Sequence, residues 1–170
     1  MKIKELHIKN IASIEKADIN FDTDLIDKAT GMPASTFLIS GDTGSGKSVI
    51  LDAISMALYK NTPRIASVVN NNNNKFTDVH GNELGIDDIE QYTRIGISEK
   101  DECYSEVVFD GNDGIEYRAR LELGLTKSRT KDEHGNYILK HSAPTWKVKV
   151  GNTDWQTGVN TCKQIILDAI

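Results

Sequence analysis

The densest chemistry in the chain lies in eight consecutive residues, Gly41-Asp42-Thr43-Gly44-Ser45-Gly46-Lys47-Ser48. Glycines at 41, 44 and 46 let a backbone turn tightly and bring its N–H groups against anionic oxygens with no Cβ in the way. Lys47 adds a full positive charge on a long stem, and the Ser48 hydroxyl is an oxygen ligand for a hard cation. The spacing G-x-x-x-x-G-K-[ST] is that of a loop that cradles a triphosphate, with Lys47 directed at the β and γ phosphates and Ser48 at magnesium. The flanking residues supply the context such a loop needs. Phe37-Leu38-Ile39 is an apolar run without alternation and reads as a strand buried on both faces. From Lys47 to Tyr59, apolar residues at Ile50, Ala53, Ile54, Ala57 and Leu58 fall on one stripe of a helix. A helix starting there adds about half an elementary charge of positive dipole where phosphates would rest. Residues Gly41 to Ser48, with Val49 behind them, are therefore expected to bind ATP and Mg2+, and Lys47 to carry the catalytic charge.

Around this site the chain must supply a sheet. Residues 2–11 and 15–21 read as two strands joined by a short turn, because Ala17, Ile19 and Phe21 alternate with Lys16, Asp18 and Asn20. Residues 22–35 read as a loop, and Thr62-Pro63 stops the helix. Residues 60–91, with the asparagine run Asn70 to Asn74, show little periodicity and read as a mobile surface excursion. Strand-like segments at 104–110 and 116–123 flank Gly-Asn-Asp-Gly at 111–114, a hairpin signal, and a second hairpin is expected around Glu133-His134-Gly135-Asn136. Thr145 to Val150 alternates again, and Val159 to Ile170 reads as a helix with Asn160 or Thr161 near its start. The expected units are thus 1–59 (strands, loop and helix), 60–91 (the excursion), 92–150 (antiparallel hairpins) and 151–170 (the start of a C-terminal helix). An end inside a helix reads as truncation.

Composition bounds the rest. At 38% hydrophobic and 26% charged, 170 residues suit one globular domain. Cys103 and Cys162 suggest neither a disulfide framework nor a zinc cluster, and with no targeting segment or apolar span the reading is a soluble, cytoplasmic protein. The net charge of −5 argues against a domain coated in nucleic acid, but the charge is uneven. Residues 76–113 hold eleven Asp and Glu against Arg94 and Lys100, whereas 114–150 hold eight Lys and Arg against four acids. Hydrolysis also needs an acid at the end of an apolar strand to hold the metal. Asp168 follows Ile165-Ile166-Leu167, but Cys162, Ile165, Ile166 and Ala169 lie at helical spacing. Asp110 runs into the 111–114 turn. Neither is assigned the role.

At the level of whole motifs the chain resembles a known family. Met1-Lys-Ile-Lys-Glu-Leu-His-Ile-Lys-Asn-Ile-Ala-Ser-Ile14, the loop 41–48, Leu51-Asp-Ala-Ile-Ser-Met-Ala-Leu-Tyr59 and Thr62-Pro-Arg64 are similar to the N-terminal lobe of SbcC-type bacterial exonuclease-subunit ATPases. These belong with the structural-maintenance-of-chromosomes (SMC) and related ABC ATPases. The likeness is dense over 1–65 and looser beyond. It implies an α/β P-loop NTPase fold of the ABC/SMC-type head, with an antiparallel β subdomain beside the loop strand and helix. It also implies a head whose two halves are separated by a long coiled coil, so that this chain is the first half and needs the C-terminal half of its own head. Further implications are ATP-driven homodimerisation of heads, an SbcD-type nuclease partner, and action on double-stranded DNA ends and hairpins in repair and recombination. Such a piece alone is expected to bind nucleotide weakly and hydrolyse it poorly.

Residue by residue, the resemblance places Ser13 near base and ribose, and Thr93-Arg94-Ile95 in the short segment that touches nucleotide from this lobe. Arg94 reads equally well as a solvated surface arginine. Ala12 stands where some relatives have arginine, so the cation that would stack on adenine there has no counterpart. For DNA, alternation puts Arg118 and Arg120 on one strand face and Lys147 and Lys149 on another, facing phosphates or simply solvent. Three other readings of the loop stand beside this one: a GTPase, a small-molecule kinase, and a nucleotide-gated SMC-like DNA clamp. Against the first, Asn74-Lys75-Phe76-Thr77 lacks the final acid of a guanine-reading Asn-Lys-x-Asp. Against the second, about forty residues precede the loop.

Overall fold

The computed structural model of the chain describes residues 1–34, 38–66, 75–85 and 88–170. Strands β1 (Lys2–Ile11) and β2 (Ile14–Asn20) open the chain, followed by helices α1 (Lys47–Tyr59) and α2 (Pro63–Ala66). Two short strands, β3 (Lys75–Thr77) and β4 (Glu83–Gly85), precede a 3-10 turn at Ile89–Tyr92. Then come β5 (Cys103–Asp110), β6 (Glu116–Leu123), β7 (Leu125–Lys131), β8 (Tyr137–His141), β9 (Thr145–Val150), β10 (Gln156–Thr157) and helix α3 (Val159–Ala169).

One antiparallel sheet runs β10-β9-β6-β5-β1-β2, with β3-β4 and β7-β8 as separate two-stranded ribbons. The period-two pattern gives the large sheet two unlike faces. Leu6, Val107, Ala119 and Val148 form one cross-strand row, and Ile8, Ser105, Leu121 and Trp146 the next; all are buried. Helix α1 lies over β1, β5 and β6 on this face, and α3 lies against β9 and β10. Two sheet side chains reach the backbone of α1: the Ser105 hydroxyl donates to the Ala53 carbonyl at 2.6 Å and the Trp146 indole to the Ala57 carbonyl at 2.7 Å. The opposite face carries the polar rows and has no helix on it among the described residues.

The α/β class and antiparallel subdomain expected from the sequence are those observed, and β1, β2, β5, β6, β9, α1 and α3 fall where the periodicity put them. Four details differ. Residues 38–40 are not a strand, and Leu38 is 88% exposed; no described strand pairs with them, so the apolar run lacks the neighbours that would bury it. Phe37 and the run Asn70 to Asn74 lie outside the described residues. The buried stripe of α1 is Val49, Asp52, Ala53, Met56, Ala57 and Leu58, rotated from the expected one so that Ile50 and Ile54 sit at its margin. Residues 60–91 contain α2, β3, β4 and the 3-10 turn, and place Ile65, Leu84 and Ile89 in buried positions. Finally, α3 starts after Gly158, with no side-chain cap from Asn160 or Thr161.

Candidate nucleotide-binding site

The loop 41–46 arches directly into the N-terminus of α1. Within it the Ser45 N–H donates to the Asp42 carbonyl at 3.1 Å, and the first turn of the helix closes through Val49 N–H to Gly46 O at 2.9 Å. The Lys47 ammonium folds back into the arch, 2.7 Å from both the Gly41 and Asp42 carbonyl oxygens and 3.5 Å from Ser45 Oγ. Helix α1 has no side-chain cap and no acid in its first turn, so no side chain of its own first turn offsets the positive end of its dipole. Ser48 is exposed at that end. Gly46 has φ 88°, and a Cβ there would lie 3.0 Å from Ser13 Oγ and 3.6 Å from Ile14 Cγ1. The glycine is therefore required twice, for its backbone angle and for the close approach of the turn between β1 and β2.

That turn links the loop to the second candidate segment. Ala12 N–H donates to the Tyr92 carbonyl at 2.7 Å, Arg94 N–H to the Asn10 carbonyl at 3.0 Å, and Thr93 bridges Ile11. The Arg94 guanidinium reaches the Ser13 carbonyl at 2.7 Å. Ser13, Thr93, Arg94 and the loop, separated by up to 81 positions in sequence, are thus neighbours at one end of β1. Arg94 is not a free surface charge: it clamps the turn that carries Ser13. Ile95 is 74% exposed beside them. Asp42, Thr43, Gly44 and Ser45 form the exposed crest of the loop, and Val49 turns into the core.

Motif reading did not find what lies beneath the loop. Asp52, on the buried stripe of α1, accepts from the Tyr92 hydroxyl at 3.1 Å and pairs with the Arg64 guanidinium at 3.0 Å. Burial first, and the Asp52 carboxylate beside it, hold the Tyr92 pKa above its ordinary value, so the phenol keeps the proton it donates. An acid at helical spacing from Val49 and Met56 was the available signal. The buried Cys103 thiol donates to the Asn10 carbonyl at 3.0 Å, and burial pushes its pKa up to about 11, which leaves it an inert structural thiol.

The basic residues suggested for DNA converge more closely than alternation implied. Arg118 pairs across strands with Lys149, and Arg120 with Lys147, so all four share the open face. They are interleaved with acids. Glu106, itself buried, lies 3.5 Å from both Arg118 and Arg120, and Glu122 lies 3.0 Å from Arg120 and 2.6 Å from Lys147. Arg120 also stacks 3.6 Å over the Tyr104 ring. In the same row His7 sits between Asp18 and Glu5; burial of its ring pulls its pKa down, and those two carboxylates outweigh it, leaving the pKa raised. Arg120 and Lys147 are therefore members of an ion-pair lattice.

Comparison with known proteins bears on the same residues. The AAA domain family model matches residues 5–165, which contain the loop, the turn at Ser13 and the segment 92–95. The chain belongs to the AAA domain family. It is 38% identical over 130 residues to the SbcC component of the nuclease SbcCD from Pseudomonas aeruginosa, a match covering 76% of this chain and 10% of that protein. It is 37% identical over 132 residues to the component of the same name from Rhodobacter capsulatus, covering 77% of this chain and again 10% of the relative. The resemblance to SbcC-type ATPases read from the motifs is thereby borne out, and the chain spans about a tenth of the length of the curated relatives it matches. No helix among the described residues is long and apolar enough to cross a membrane.

Proposed function

We propose that the chain is the ATP-binding lobe of an SbcC-type ATPase that works with a partner nuclease on DNA ends. The observation that carries this reading is the convergence on one helix N-terminus of a glycine loop, the Lys47 ammonium and the Ser13 turn held by Arg94. A triphosphate laid on the loop would meet the amides of Asp42 to Ser48 and the Lys47 charge, with Val49 supporting the helix behind them. The residues fit magnesium as well: Ser48 offers a hydroxyl at the exposed helix end, and a bound magnesium would neutralise the β and γ phosphate oxygens. We assign Ser13, Thr93, Arg94 and Ile95 to base and ribose, a reading supported by their proximity to that cradle.

The chain's contribution is to bind, orient and charge-neutralise the nucleotide. For the whole protein we infer completion of the head by its own C-terminal half, dimerisation of heads around ATP, hydrolysis to reset them, and an SbcD-type nuclease partner, a reading supported by kinship with the SbcC component of the nuclease SbcCD. On its own the chain should turn over ATP little. Calorimetry on the full-length protein tests the core of the proposal. Wild type should take up magnesium-ATP, and Lys47→Ala should weaken it by tenfold or more, a loss of about 1.4 kcal/mol. Equal uptake by wild type and Lys47→Ala would remove the site.

A further inference from the structure

Asp52 occupies a position on α1 where the helical stripe otherwise holds hydrophobes. It is 5% exposed and four residues beyond Ser48. A carboxylate at that depth is unfavourable unless its oxygens are satisfied. Its partners come from two other parts of the chain: the Tyr92 hydroxyl at 3.1 Å, from the end of the 3-10 turn, and Arg64 at 3.0 Å, from α2. The Tyr92 hydroxyl is also 3.2 Å from Thr62 Oγ1, which in turn accepts the Ile65 N–H at 3.1 Å.

Tyr92 hands this position on. Its carbonyl accepts the Ala12 N–H at 2.7 Å, and Arg94, two residues later, holds the Ser13 carbonyl at 2.7 Å. Ser13 Oγ is the atom that approaches Gly46 at the head of α1. Hydrogen bonds run from α1 through Asp52 to Tyr92 and on to the 12–13 turn, and the close approach of Ser13 Oγ to Gly46 completes a ring back to the start of α1. The ring touches the loop only at Gly46, where the loop joins α1; residues 41–45, shaped by Gly41, Gly44 and the Lys47 ammonium on the Gly41 and Asp42 carbonyls, lie outside it.

We infer that Asp52 is a positioning residue that holds Ser13 and the 93–95 segment at a fixed reach from the phosphate cradle, and so sets the grip on base and ribose but not on phosphates. This rests on the nucleotide reading above and adds to it a division of labour. A purely structural Asp52 would, when changed, loosen the whole site together; a positioning Asp52 separates the two halves of the ligand.

The test compares magnesium-ATP with magnesium-tripolyphosphate, which has the phosphates and nothing else, by calorimetry on full-length wild type, Asp52→Asn and Tyr92→Phe. Both variants should lose ATP affinity by roughly tenfold, the order expected when a hydrogen bond to a charged group is removed, with tripolyphosphate affinity unchanged. Parallel losses for both ligands, or no loss for either, would overturn the inference. Tyr92→Phe deletes a single hydroxyl and decides the matter if Asp52→Asn fails to fold. Wild type that binds neither ligand would overturn the nucleotide reading and this inference with it, whereas wild type that binds both, with variants of unchanged ATP-to-tripolyphosphate ratio, would overturn this inference alone.

Discussion

Gly46 shows how much of the site is decided by the absence of one carbon. A left-handed φ costs an L-residue about 1–2 kcal/mol, and both Gly44 and Gly46 have such angles, 85° and 88°. Their surroundings differ: a Cβ at Gly44 would meet nothing within 4 Å, while one at Gly46 would press on Ser13 Oγ at 3.0 Å. Gly44→Ala and Gly46→Ala should therefore lower thermal stability by similar amounts. Gly46→Ala should in addition push the Ser13 turn off the helix and reduce magnesium-ATP affinity by a further tenfold or so, about 1.4 kcal/mol. Melting curves and calorimetry on the pair check this. Equal nucleotide affinity in the two variants would mean that Ser13 is not part of the site. The same residue explains what motif reading saw and what it missed. The loop is legible because its chemistry is local, eight residues in a row. The Asp52–Tyr92 contact joins residues forty positions apart, and no local pattern announces it.

Among the elements, α1 is held on the sheet by two hydrogen bonds of unlike consequence. The Ala57 carbonyl is among the last four of the helix, which have no intrahelical partner, and the Trp146 indole supplies one. The Ala53 carbonyl lies in the helix interior and receives the Ser105 hydroxyl as a second donor. Trp146→Phe should thus destabilise by about 1–3 kcal/mol, leaving a buried acceptor unsatisfied, and Ser105→Ala by about 1 kcal/mol or less. Urea unfolding at constant m-value measures both, and a reversed order would refute this account of the helix seat. The elements legible in the sequence are those whose order is local. Alternation along β1, β2, β6 and β9, and helical spacing in α1 and α3, mark one buried face each, whereas β5, with Val107, Val108 and Phe109 all buried, is legible from its apolar run and the hairpin turn after it. The elements that were not legible are held from outside. Helix α2 is only four residues long and starts where Thr62 Oγ1 accepts the Ile65 N–H, and β3 and β4 are three-residue strands whose connecting turn is tied to β8 by Asn82 donating to the Leu139 carbonyl and by Asp78 against His141. Leu38 and Ile39 misled for the converse reason: apolar letters show that a segment can be buried, but not what buries it.

For the molecule as a whole, the open face of the six-stranded sheet decides whether an acidic chain can meet DNA. With a net charge of −5, attraction has to come from a local surplus of positive charge. The four basic residues share that face, yet they are not equivalent. Arg120 and Lys147 have side chains only 18% and 19% exposed and are tied to Glu122 and, for Arg120, Glu106. Arg118 is 41% exposed and its acidic neighbours are 3.5 and 3.8 Å away, while Lys149 has no ion pair among the described residues. On the proposed DNA reading, Arg118 and Lys149 are the two that would exchange counterions for phosphate, and Arg120 and Lys147 the two that hold the sheet face together. In the full-length protein, replacing Arg118 and Lys149 together by glutamine should flatten the dependence of log affinity for duplex DNA on log salt by close to two units, at about 0.9 per phosphate contact. Replacing Arg120 and Lys147 should leave that slope in place and instead cost about 1–3 kcal/mol of stability, because Glu106 and Glu122 lose donors in a half-buried lattice. An unchanged slope in the Arg118 and Lys149 variant would remove this face from DNA binding. A slope lost only with Arg120 and Lys147 would mean that the lattice opens when DNA arrives, the reverse of the division its ion pairs imply.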